Sequence, residues 1–118
     1  MDKIRDFTDL IVWQKSHRFV INIYRITKDF PREEKFGLVN QMRRAAVSVP
    51  ANIAEGFRKR SKKEKANFYN ISQGSLDEVR YYLILSKDLD YIESNTELLA
   101  DASEINRMLH ALIESLKQ

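Results

Sequence analysis

Apolar residues recur at steps of three and four along almost the whole chain, and only three Gly and two Pro interrupt them. That spacing predicts helices and leaves no room for strands. A first helix is expected over residues 9–29 with Thr8 as its N-cap, ended by Phe30 and Pro31 because a residue before proline is driven out of helical geometry. A second is expected over residues 38–58, weakened in its last turn by Gly56. Ser61 and Glu64 in SKKE have the spacing of a capping box and open a third helix, which continues to Leu89 along a stripe holding Ser72, Leu76, Val79, Leu83 and Ser86. Gly74, inside that helix, is expected to mark a close helix approach. SNTE, Ser94 to Glu97, repeats the capping device and opens a fourth helix running nearly to the end. Its Leu98, Ala102, Ile105, Leu109 and Leu112 alternate steps of four and three, the spacing of a bundle seam. Four helices with short connections make an all-α, antiparallel up-down-up-down four-helix bundle, expected as a single domain over residues 1–118.

Two helices carry more than the pattern requires. On the first, Leu10, Trp13, His17, Val20, Ile21 and Tyr24 make one apolar stripe, while Val12, Phe19, Ile23 and Ile26 lie on another with Ser16 and Phe30. Together they are wider than the ~100° a core-facing helix needs. One core cannot easily bury both, so the second stripe, with Val12, Phe19, Ile23 and Ile26, is expected at an oligomer interface. On the second helix the apolar register passes straight through Pro50. The ring crowds the Ala46 carbonyl and removes one donor, so a kink is expected there. Gln41, Ser48, Asn52 and Glu55 form a polar strip beside this face, with Arg44 close by. The strip could satisfy carbonyls freed by the proline or hold a neighbouring molecule; the structural role is the simpler one.

Charge changes the picture more than composition does. The formal net charge is +3, yet residues 1–65 hold 16 Lys/Arg against 8 Asp/Glu, and residues 66–118 hold 4 against 9. The densest basic stretch, RKRSKKEK, contains Arg58, Lys59, Arg60, Lys62, Lys63 and Lys65. It fits either a solvated interhelical turn or a contact with phosphates, whose counterions such a cluster would release. Arg43 and Arg44 are lesser candidates for the same contact. Charge of this kind supplies affinity, not sequence readout.

Candidate catalytic chemistry is sparse. Cysteine is absent, so disulfides and thiolate nucleophiles are excluded. His17 and His110 lie on separate helices outside any Glu-x-x-His arrangement, and no HExxH, phosphate-binding glycine loop or nucleophile elbow occurs. Adjacent carboxylates such as Asp77 and Glu78 diverge on a helix. No enzyme activity, cofactor or metal is therefore expected. The chain also has neither a signal-peptide pattern nor a long uncharged apolar run, so a cytoplasmic location without membrane contact is expected.

DLIVWQKSHRF, FGLVNQMRRAAVSVPANIAEGFRKRSKKE, GSLDEVRYYL and EINRML together resemble the four-helix-bundle family encoded by intervening sequences within bacterial 23S ribosomal RNA genes, also called S23-type. The resemblance runs from Asp9 to Leu116 and identifies no catalytic residue. It implies a homopentamer and points to a related branch, the accessory protein of diversity-generating retroelements, which binds nucleic acid and a reverse transcriptase. This chain has Ser72 and Ser86 where the family pattern has alanine, and Asp90 where it has glycine. The function expected is a non-enzymatic oligomer that binds RNA or DNA through its basic surface. The alternative is a scaffold docking a protein partner such as a reverse transcriptase.

Overall fold

The structure, a computed structural model, describes residues 3–117; Met1, Asp2 and Gln118 of the expected domain span lie outside the described residues. Four helices form: α1 (Ile11–Thr27), α2 (Leu38–Arg58), α3 (Lys62–Asp88) and α4 (Thr96–Ser115). Ser61 caps α3 as its spacing demands, its Oγ accepting from the Glu64 amide at 3.1 Å. Thr8 is not the cap of α1. Asp6 instead caps a short 3-10 turn, Phe7–Asp9, and α1 starts two residues later from Leu10 without a side-chain cap. The cap of α4 is Asn95, while Ser94 Oγ accepts from the Thr96 amide at 3.2 Å. Through Pro50, α2 remains helical, with the ring buried.

Hydrogen bonds between helices reveal their directions. Ser72 Oγ donates to the Val49 carbonyl at 2.8 Å, Ser75 Oγ to Ser48 Oγ at 2.8 Å, and Tyr82 Oη to Gln41 Oε1 at 2.9 Å. The α2 number falls as the α3 number rises, so the two are antiparallel. Arg43, near the start of α2, reaches Tyr24 and Thr27 near the end of α1. Gln73 Nε2 donates to Asn106 Oδ1 at 3.1 Å and Asn95 Nδ2 to the Leu83 carbonyl at 3.3 Å, which runs α4 back along α3. Lys15 meets Glu104 at 3.0 Å, while Asn22 and Asp101 line one groove closer to the other end. Each helix packs on two neighbours and, among the described residues, no Cα atoms of diagonal helices lie within 8 Å of each other, as in a square bundle.

The core contains Phe19 and Ile23 of α1, Met42, Val49 and Ile53 of α2, Leu76 and Leu83 of α3, and Ile105 and Leu109 of α4. This overturns the assignment of the α1 stripes. Val12, Phe19 and Ile23, expected at an oligomer interface, are 5%, 1% and 0% exposed inside this chain's own core, and Ile26 is half-buried against it. Trp13, Val20, Ile21 and Tyr24 form the outer stripe instead, partly or largely open to solvent. The physical reason is polar satisfaction. Ser16 and Thr27 on the inner stripe close their hydroxyls onto Val12 and Ile23 carbonyls, both at 2.7 Å, and so enter the core without an unpaired group. His17 and Tyr24, exposed on the outer stripe, keep their ring N–H and O–H groups within reach of water.

The glycines are also exchanged in role. Gly74 lies on the exposed side of α3, and a Cβ added there would meet nothing within 4 Å. Gly56 is where helices approach: a Cβ there would sit 2.7 Å from Tyr69 Cε1 and 3.0 Å from Phe68 Cβ. Ser72, Ser75 and Ser86 bring hydroxyls into the α2–α3 seam, and each is bonded, Ser86 Oγ donating to the Tyr82 carbonyl at 2.7 Å. Asp90 has φ 61°, the left-handed region that glycine occupies most easily. It ends α3 in a Schellman arrangement, with Tyr91 N–H on the Ser86 carbonyl and Asp90 N–H on that of Lys87.

Candidate nucleic-acid interface

The basic stretch is the connection between α2 and α3, and the structure divides its cations into two groups. Lys65 closes the turn: its Nζ donates to the Phe57 carbonyl at 2.7 Å, an ammonium on the carbonyl end of α2 where the helix dipole favours it. Lys59, half-buried, stands over the Phe68 ring at 5.1 Å. Arg58, Arg60 and Lys63 are exposed and, among the described residues, no acidic partner is drawn to their charge. Lys62 is exposed on the first turn of α3 beside them. Glu64, the one acid in the stretch, is turned to the Ser61 cap, its Oε1 accepting from Ser61 Oγ at 3.1 Å. Arg58, Arg60 and Lys63 are therefore neither neutralised nor required for the turn.

Arg43 and Arg44 do not join this group. They precede Arg58 by about four turns of α2, roughly 20 Å along the axis. Arg43 is held against α1, its Nε donating to Thr27 Oγ1 at 2.9 Å and its guanidinium lying 4.5 Å from the centre of the Tyr24 ring. That engagement corrects its place among the phosphate-contact candidates. Arg44 is exposed and lines a separate groove between α2 and α3 with Gln41, Ser48, Glu78 and Tyr82. The polar strip on α2 is a joint between helices. Gln41 and Ser48 take hydroxyls from α3, and Asn52 Nδ2 donates back to the Ser48 carbonyl at 2.8 Å, not to the Ala46 carbonyl freed by Pro50.

Sequence reasoning missed the surface that adjoins the basic turn. Lys63 and Glu64 form one end of an open groove of about 530 Å³ between α3 and α4, continued by Asn67, Asn70, Gln73 and His110. The polar positions at 67, 70 and 73 recur every three residues, a row that helical spacing makes visible in the sequence. Nothing among the described residues assembles a catalytic set. No three of their His, Cys, Asp and Glu side chains are grouped to hold a metal, and no helix is long and apolar enough to cross a membrane.

With that geometry the chain has known company. A protein with unknown function from the S23 ribosomal protein family of Bacteroides thetaiotaomicron VPI-5482 has a solved structure that is similar, with a TM-score of 0.78 and 29% sequence identity over 87% of this chain and 98% of that chain. Among curated proteins none matches. The family model described as 23S rRNA-intervening sequence protein matches residues 8–111, which takes in α1, α2, α3 and most of α4, and the chain belongs to that family.

Proposed function

We propose that this protein is a non-enzymatic homo-oligomer, a pentamer as the resemblance implies, which binds RNA or another nucleic acid in the cytoplasm through the basic α2–α3 turn. One observation carries the reading: Arg58, Arg60 and Lys63 are exposed, without a carboxylate partner among the described residues, at a turn whose own closure depends on other groups. Unpaired cations placed together lower the free energy of a polyanion by releasing its counterions. Repetition around a ring multiplies the effect, because several weak patches held at fixed spacing bind with avidity.

The surface that would join subunits is the outer stripe of α1. Ile21 and Tyr24 are 37% and 40% exposed, and Val47 on the neighbouring α2 is 42% exposed. The same stripe supports the second reading, a scaffold that docks a protein partner, with nucleic acid incidental. Two measurements separate these. Solution mass at micromolar concentration is expected to exceed the monomer, and Ile21→Glu with Tyr24→Glu to return it to the monomer; a monomeric wild type rejects the oligomer. Binding of structured RNA at low salt is expected for the wild type and weakened for R58S/R60S/K63S; absence of binding by the wild type rejects the nucleic-acid reading.

A further inference from the structure

The groove between α3 and α4 extends the proposed nucleic-acid contact beyond phosphates, and its role as a site rests on that contact. Lys63 stands at its mouth, the last exposed cation of the basic turn. From there Asn67, Asn70 and Gln73 follow at successive turns of α3, rising about 9 Å along the helix. Asn67 and Asn70 are exposed. Among the described residues their amides are not drawn into any cap or joint, in contrast to Asn52 and Asn95, which bond to helix carbonyls. Gln73 Nε2 is engaged by Asn106, which leaves the Gln73 carbonyl and the Asn106 amino group with hydrogen-bonding capacity to spare. The opposite wall is formed by Ile113 and the His110 imidazole, whose side chain is 69% exposed. Glu64 also lines the mouth, its carboxylate turned to the Ser61 hydroxyl.

A neutral amide donates to a phosphate less strongly than a cation does and leaves its own acceptor unused there. Base edges gain more. Carboxamides offer a donor and an acceptor side by side, the pairing that reads an adenine or another base edge. Ile113 and His110 offer apolar and aromatic surface to the base faces. A rise of about 9 Å spans two to three bases at the ~3.4 Å spacing of a stacked strand. In duplex RNA the Watson–Crick edges are paired and the remaining edge of adenine lies in the deep, narrow major groove, which side chains cannot read. We infer that the α3–α4 groove is a base-contacting site for single-stranded nucleic acid, with Asn67, Asn70 and Gln73 on base edges, His110 on a base face and Lys63 on the adjoining phosphate.

The test compares an unstructured 20-nucleotide RNA with a duplex of the same length, each titrated with the full-length wild type, N67A/N70A and R58S/R60S/K63S over a range of salt. The expected result is at least tenfold tighter binding of the single strand by the wild type. N67A/N70A is expected to lose about tenfold on the single strand, with duplex binding and salt slope unchanged and with a melting temperature at or above that of the wild type, since both residues are exposed and alanine is the better helix former. H110A, a second and independent variant, is expected to weaken the single strand in the same sense. Equal affinity of the wild type for the two RNAs, or unchanged single-strand binding by N67A/N70A, overturns the inference while a steep salt slope leaves the basic-turn reading standing. No binding of either RNA at low salt removes both together.

Discussion

The two ends of the bundle are built on opposite principles. At one end the α1–α2 and α3–α4 connections are tied to each other. Tyr91 Oη donates to Glu34 Oε2 at 2.8 Å, the Tyr91 and Phe30 rings lie 5.3 Å apart, and Glu34 Oε1 accepts from the Leu38 amide at 3.4 Å. The hydrogen bond to Glu34 is the foremost cause holding the Tyr91 phenol above its ordinary pKa. Arg43 is fastened to α1 in the same half. At the other end the α2–α3 turn is closed by Ser61 and Lys65, and Arg58, Arg60 and Lys63 stay in solvent with no carboxylate among the described residues to meet them. A charged group that secures the fold has a partner; charged groups without one are available for something else. The contrast separates structure from function more sharply than the count of cations in the stretch.

The largest expected effect tests whether the open end is nonetheless tightly packed. Gly56→Ala is expected to cost about 1–3 kcal/mol, since its methyl meets the buried Tyr69 ring and the Phe68 Cβ. Gly74→Ala is expected to stabilise by roughly 0.5–1 kcal/mol, because it adds a better helix former where nothing is crowded. Urea unfolding of the two variants decides it, and equal midpoints would contradict the packing described. At the tied end, Tyr91→Phe is expected to lower the urea midpoint, because it removes the hydrogen bond to Glu34. R60S and K63S at the open end should stay within about 0.5 kcal/mol of wild type. Should those variants unfold at lower urea than Tyr91→Phe, the exposed cations would be structural after all.

How much of this can be read from residues alone depends on the kind of signal. The limits of α2 and the Ser61 cap follow from local chemistry, a connection ending in Gly37 before Leu38 and a hydroxyl three residues before Glu64, and both are visible in the sequence. Which stripe of α1 faces inward is not. Both stripes are apolar, and the choice depends on how Ser16 and Thr27 satisfy their hydroxyls within the helix and on what α2 and α4 present across from them. The glycines mislead for a related reason. Spacing along one helix does not report which face meets a neighbour, so Gly56, closed against Tyr69, and Gly74, in open space, look alike. Of the site, the basic turn is visible as charge, whereas the division between bound Lys65 and solvent-facing Lys63 needs the position of the α2 carbonyls.

Smaller effects sharpen the comparison further. Asp90→Gly is expected to raise stability by about 0.5 kcal/mol, because a side chain at φ 61° is strained and glycine there is not, partly offset by glycine's greater freedom when unfolded. The last effect is in acid. Asp6 accepts from Thr8 Oγ1 at 2.6 Å, and that hydrogen bond chiefly lowers its carboxyl below the ordinary value. A depressed folded pKa gives a contribution that is full above the unfolded value and is lost as pH falls through the folded one. The melting temperatures of wild type and Asp6→Asn should therefore differ at neutral pH and converge in acid; a gap that widens in acid would reverse the sign.

The central claim is that Arg58, Arg60 and Lys63 of the α2–α3 turn are a phosphate contact, and its direct measurement is the slope of the logarithm of RNA affinity against the logarithm of salt concentration, for wild type and for R58S/R60S/K63S. A protein whose turn meets phosphates has a steep negative slope, and removing three contacting cations flattens it by about 2–3 units per subunit engaged. Identical slopes for the two proteins would contradict the account, whatever their affinities.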